Sequence, residues 1–260
     1  MRVVAVHRDV LVATSAFWQT TCTIVRSGEE GFVIDSPVLP QELETLPLVL
    51  EQAGFPFSGL LCTHGDWDHL LGRMAFPGAA LGCAETTAAR LTGSPGAAAR
   101  ELREFDDEHY VVRSSPLSLG QVQALPVPGR VDVGPTEALE LHPADGHTPD
   151  GMAVAVPWAR VLVCGDYVSP VEIPWIGEGG SASAYLATLA RLEPLVEAAD
   201  VVVPGHGEPL DAARALAILR EDRAYVEALP DAKLPLARRT KAQQKIHAEN
   251  VVRVRAAGAR

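Results

Sequence analysis

Cysteine is scarce in this 260-residue chain, and the four present, Cys22, Cys62, Cys83 and Cys164, stand far apart with no C-x-x-C pair. They are expected as reduced, buried core residues rather than metal ligands or a disulfide framework. Long apolar runs are missing as well. None approaches membrane-spanning length, and Met1 to Asp9 reaches charge too early for the apolar region of a signal peptide, so the expectation is a cytoplasmic protein with no membrane partner. Basic charge is in short supply: 22 Lys and Arg against 33 Asp and Glu leave a formal net charge of −11. That balance argues against a nucleic-acid partner, which calls for a basic surface, but not against a small phosphate ester. There is also no sign of a phosphate-binding glycine loop.

What is present is a core. With 47% hydrophobic residues the chain can bury a single sizeable domain. Val3 to Val12, Thr20 to Ser27 and Gly31 to Asp35 read as successive strands, the last two joined by a turn at Ser27–Gly31. Gln41 to Ala53 has helical spacing at Leu43, Leu46, Val49 and Leu50, with Pro47 to be accommodated. Leu60 to Thr63 reads as a buried strand and Cys83 to Leu91 as a helix. A second set of strands begins over Val111 to Val127 and continues through Glu137 to His142 and Met152 to Val156. Ser94 to Glu108 and Ser169 to Ser183 read as at least partly irregular, and both are places where specificity is expected.

The chemistry concentrates directly after Leu60–Thr63, where His64-Gly65-Asp66-Trp67-Asp68-His69 packs four metal-capable side chains into six residues. Imidazole and carboxylate hold Zn, Fe or Mn, and crowding them at a strand end lets several converge. Three later segments place a similar residue just after glycine: Gly146-His147, Gly165-Asp166 and Gly205-His206. In the last two an apolar run, Val161–Cys164 or Val201–Val203, leads into the turn. Glycine permits a sharp turn that aims the next side chain across the end of a sheet.

This succession, together with Ile34-Asp35, Leu70-Leu71-Gly72 and Gly146-His147-Thr148-Pro149, resembles the metallo-β-lactamase superfamily over roughly residues 1 to 210. The resemblance implies an α/β fold of the αββα four-layer sandwich type, with residues 1–229 as the domain. It also implies two divalent metal ions, zinc first, with Fe or Mn admitted. One ion falls to His64, Asp66 and His147, the other to Asp68, His69 and His206, and Asp166 bridges. The implied activity is hydrolysis of a small-molecule ester, thioester or lactone by metal-activated water. Asp166 and Asp68 are the catalytic carboxylates, and Asp68 orients the water or passes its proton to the leaving group.

One departure stands out: the family pattern has a second histidine where this chain has Asp66. A third negative ligand favours harder ions such as Fe or Mn over Zn. It also keeps two further readings open. One is an iron redox site similar to flavodiiron or persulfide dioxygenase proteins; the other is a scaffold that binds metal without turnover.

Trp67, Tyr167 and Trp175 are candidates for the substrate pocket, Trp175 lying on a Pro- and Gly-rich loop that folds over the site as a lid or tucks into the core. Residues 230–260 form a basic extension with all three lysines, Lys233, Lys241 and Lys245, and Arg238, Arg239, Arg253, Arg255 and Arg260. It is expected as a solvated helix packed through Ile246, Val251 and Val254, with docking on an acidic surface, a homo-oligomer contact or an anionic substrate as other uses. His7, His109, His142 and His247 are expected to be structural.

Overall fold

The computed structural model describes residues 1–235 and 237–258, so Arg260 of the basic extension lies outside the described residues. Seven strands, β1 (Arg2–His7), β2 (Val10–Thr14), β3 (Thr21–Ser27), β4 (Glu30–Asp35), β5 (Gly59–Leu61), β6 (Leu81–Ala84) and β7 (Val122–Leu125), form one sheet in sequence order. Neighbours are antiparallel from β1 to β4 and parallel from β4 to β7. On its outer face lie α1 (Pro40–Ala53), the short α2 (Gly72–Ala75), α3 (Glu85–Gly93) and α4 (Ala97–His109).

The second sheet has six strands: β8 (Gly129–Val133), β9 (Glu137–Pro143), β10 (Met152–Val156), β11 (Val161–Val163), β12 (Val201–Val203) and β13 (Leu210–Asp211). Its order runs from β13 back to β8. Behind it pack α5 (Ala182–Ala198), α6 (Ala212–Glu227) and α7 (Lys241–Gly258).

Side-chain alternation builds the layers. In β2, Val10 and Val12 face the second sheet while Leu11 and Ala13 face the first helical layer. In β10, Met152, Val154 and Val156 meet the first sheet while Ala153 turns to α5 and α6. Because strand side chains alternate with period two, two sheets that are apolar on both faces require a helical layer outside each. The result is the four-layer αββα sandwich expected from the sequence.

Several local expectations change. The segment read as one strand over Val3–Val12 is a hairpin that turns at Arg8-Asp9, where Asp9 N–H donates to His7 Nδ1 at 3.2 Å. Pro47 stays inside α1: Leu43, Leu46 and Leu50 bury one face, and that packing outweighs the hydrogen bond Pro47 cannot make. Cys83 and Ala84 end β6, and the helix starts at Glu85. Only the start of Ser94–Glu108 is irregular, since Ala98, Leu102 and Phe105 form the buried stripe of α4. Between Val111 and Val127 the only strand is β7, Val122–Leu125.

All four cysteines are free and buried. Among the described residues no helix is long and apolar enough to cross a membrane.

Candidate metal centre

Strand ends determine where the chemistry lies. Asp35 closes β4, His64 follows β5, His147 lies between β9 and β10, Asp166 follows β11, and His206 follows β12. The turns differ in their use of glycine. Gly165 takes a positive φ of 58°, whereas Gly205 is required by crowding, because a Cβ there would stand 2.1 Å from Asp166 Oδ1.

These turns bring all seven sequence-nominated donors together in two groups. In one, His147 Nε2 lies 3.4 Å from Asp66 Oδ2 and 3.3 Å from Asp166 Oδ2, while His64 Nε2 lies 3.6 and 3.7 Å from the same two oxygens. In the other, His69 Nε2 is 3.1 Å from Asp166 Oδ1 and 3.7 Å from Asp68 Oδ2, and His206 Nε2 is 3.5 and 3.4 Å from them. Asp166 therefore turns one oxygen to each group.

The far side of each ring fixes its orientation. His147 Nδ1 meets Trp175 O at 2.9 Å, and His206 Nδ1 lies 3.2 Å from Trp18 O and 3.3 Å from Thr20 Oγ1. Thr63 Oγ1 donates to Asp35 Oδ2 at 2.9 Å, which leaves it free to accept from His64 Nδ1 at 3.1 Å. Asp35 Oδ2 also lies 3.1 Å from His69 Nδ1. With their Nδ1 atoms turned outward, the imidazoles present Nε2 to the centre, as oriented metal-binding histidines do.

The inward atoms of this cluster test whether a cation fits. His64 Nε2, His69 Nε2, His147 Nε2 and Asp166 Oδ1 are buried and have no hydrogen-bond partner among the described residues. Orphaned buried polar atoms are costly, and four converging on one place are the donor arrangement that metal ions satisfy. His64, Asp66 and His147 could hold one ion, and Asp68, His69 and His206 another.

Electrostatics follow from the crowding. Burial by itself would lower His147 and His206, but Asp66 and Asp166 raise His147 to about 9, and Glu172 and Asp166 raise His206 to about 10. Burial would raise Asp66, yet His147 and His64 hold it well below the usual carboxylate range. Burial pushes Glu172 up, with Asp166 and Asp68 adding to the shift against the pull of His206.

The centre opens into a cavity of about 500 Å³. Trp67, only 9% exposed, forms part of its wall and packs against Trp18 and Phe105 with centroids 5.6 and 4.7 Å apart. Trp175 is also on the wall, edge-on to His147 at 5.3 Å, with its Nε1 donating to Glu249 Oε2 at 3.1 Å. Tyr167 is placed behind His147 rather than on this wall: its buried hydroxyl accepts from His147 N–H and donates to Asp145 O.

Sequence reasoning did not find Arg90. Its guanidinium, reaching from α3, donates to Asp66 Oδ1 at 2.7 Å and Asp150 Oδ1 at 2.9 Å, and Asp150 Oδ2 accepts from Gly65 N–H. Glu172 and Trp18 were missed too.

The basic extension is more than a solvated appendage. Ile246 packs on the second core, but Lys245, Ile246, Glu249 and Arg253 of α7 also line the cavity. Asn250 is fully buried, accepting from Ile176 N–H and donating to Pro174 O. Arg238, just 1% exposed, pairs with Asp222 at 2.6 Å and donates to Glu172 O and Ser169 O.

Comparison with known proteins agrees with this arrangement. Residues 16–206 match the metallo-beta-lactamase superfamily. Among solved structures, a metallo-beta-lactamase family protein from Thermus thermophilus is similar with a TM-score of 0.65 at 20% identity, covering 86% of this chain and 83% of that one. DIM-1 metallo-beta-lactamase exposed to ceftazidime gives 0.61 at 19%, covering 87% and 96%. TTHA1623 in a di-iron-bound form gives 0.60 at 21%, covering 79% and 96%.

Proposed function

The chain belongs to the metallo-beta-lactamase superfamily, and from that premise we propose that it is a metal-dependent hydrolase of a small carboxylic ester, thioester or lactone. One observation carries the reading: Asp166 turns its two oxygens to two separate groups of inward-facing, partnerless imidazole nitrogens. His64, Asp66 and His147 would hold one divalent ion and Asp68, His69 and His206 the other, with Asp166 shared. Bound there, two such ions supply Lewis acidity and a source of hydroxide at neutral pH.

The chain's own groups supply the rest. Asp68, on the cavity wall, orients the attacking water and carries its proton to the leaving oxygen or sulfur, so that the hydrolysed bond gains one hydrogen on each side as water requires. Trp18, Trp67, Trp175 and Ile246 give the cavity an apolar wall that excludes water from the acyl portion, and about 500 Å³ suits a small molecule. The acidic body, at −11, is unsuited to a polyanionic strand. Zinc is the first expectation, with manganese or iron favoured in proportion to the weight of Asp66 as a third carboxylate.

The test is metal content with activity on a panel of esters, thioesters and lactones, compared with His147→Ala and Asp166→Ala. Both variants should fold and lose turnover; full activity in both would overturn the assignment.

Asp66 also favours a second reading, an iron redox centre, because it makes the donor set richer in carboxylate. The similar fold of TTHA1623 in its di-iron-bound form supports weighing it. Predominant iron with consumption of oxygen or persulfide would select that reading.

A further inference from the structure

Glu172 belongs to none of the sequence motifs, yet its carboxylate faces the centre. Its Oε2 lies 4.0 Å from His206 Nε2, and the donor atoms of Asp166, Glu172 and His206 all fall within 4.8 Å of one another. Resting on the metallohydrolase reading, we propose that Glu172 is an eighth protein donor of the centre, serving the subsite built from Asp68, His69 and His206.

The backbone holds Glu172 in register with His206. Ser169 Oγ donates to His206 O at 2.8 Å and accepts from the Glu172 N–H at 3.0 Å, so one hydroxyl ties the two residues together. From the opposite side, the buried Arg238 donates to Glu172 O at 2.7 Å. Both contacts use the main chain. The carboxylate itself has no Lys, Arg or hydrogen-bond partner among the described residues, and it stands near Asp166 and Asp68.

A carboxylate placed beside two others, with no fixed cation, is unfavourable unless something positive comes between them. A second observation points to what that is. His69, with a side chain 0% exposed, aims a partnerless Nε2 at Asp166 Oδ1 from 3.1 Å, so the same oxygen is approached from two sides by groups that lack partners. A divalent cation satisfies the imidazoles and the carboxylates together. With Glu172 included, this subsite gathers Asp68, Asp166 and Glu172 against two imidazoles, and its preference moves toward Mn or Fe.

The experiment is calorimetric titration of the chelator-stripped full chain with Mn²⁺ alone, for wild type, Glu172→Gln and Glu172→Ala. Visible absorption after loading with Co²⁺ and far-UV circular dichroism accompany it. Wild type should show two binding events. Both variants should keep the fold and one event unchanged, weaken the other by about tenfold or more, and alter the Co²⁺ bands. Folded variants with both affinities and the Co²⁺ spectrum unchanged would overturn the role of Glu172 while leaving the metal reading intact. A wild type that takes up neither Mn²⁺ nor Co²⁺ would overturn both.

Discussion

Arg90 holds Asp66 by one oxygen and leaves the other to the metal centre. The guanidinium donates to Asp66 Oδ1 at 2.7 Å, while Asp66 Oδ2 faces His147 at 3.4 Å and His64 at 3.6 Å. The same guanidinium bonds Asp150, which in turn accepts from the Gly65 backbone, so one cation braces both the donor and the loop that carries it. Asp66 is thus a built feature of the site and not a decayed histidine position, which weighs against a scaffold that has lost its metal.

Replacing Arg90 by Met should therefore impair metal binding before it impairs folding. Asp66 would lose its orientation and the buried Asp150 its partner. The expected outcome is a fall of about 10- to 100-fold in affinity at the subsite of His64, Asp66 and His147, with a stability loss of about 1–3 kcal/mol. Titration with Mn²⁺ and thermal melting of the metal-free protein measure the two separately. Unchanged affinity would show that Arg90 serves the loop alone.

Asp66→His should not by itself restore an all-histidine first subsite, because the new imidazole would meet the guanidinium of Arg90. The double change Asp66→His with Arg90→Met should shift bound metal toward zinc, as read by elemental analysis after expression in mixed metal. A single Asp66→His variant that already holds mostly zinc would show that Arg90 exerts no such opposition.

The donors were legible in the sequence because each follows an apolar strand or a glycine turn, so local pattern alone locates a strand end bearing a ligand. Arg90 was not, since an arginine in the last turn of an ordinary helix carries no local sign of its two partners, 24 and 60 residues away. Glu172 was hidden in an irregular loop whose shape depends on Ser169 and on Arg238, far along the chain. The helix α4 was readable in principle from Ala98, Leu102 and Phe105, but Ser94-Pro95-Gly96 before it drew the reading toward loop. Tyr167 followed Asp166 closely enough to suggest the pocket, but the chain turns at Gly165 and sends its ring behind His147.

The site should make the metal-free protein and its affinity for metal respond oppositely to pH. His147 and His206 are raised from 6.5 to about 9 and about 10. Raised histidines stabilise the metal-free fold fully below about 6.5, and this contribution is lost as pH climbs through 9 to 10. The same protons compete with a cation, so metal affinity should increase across that window and binding at pH 7 should release protons. Melting temperatures without metal and Mn²⁺ titrations at pH 6, 7.5 and 9 give both trends. Affinity independent of pH would contradict the assignment of these imidazoles as ligands.

Gly205→Ala tests the crowding at the shared carboxylate. The added Cβ would stand 2.1 Å from Asp166 Oδ1, and the backbone is tied on both sides, with Gly205 N–H donating to Gly165 O and its carbonyl accepting from Thr21 N–H. Relief must come from Asp166. Metal uptake should fall steeply, with a stability loss of about 1–3 kcal/mol. Full metal content in this variant would show that Asp166 can move without consequence.

The central claim is that Asp166 joins two metal subsites, and elemental analysis of metal per chain in wild type and Asp166→Ala, both purified without chelator, tests it most directly. The account predicts about two ions per wild-type chain and fewer than one in the variant. A wild type holding less than one ion, or a variant retaining both, would contradict it.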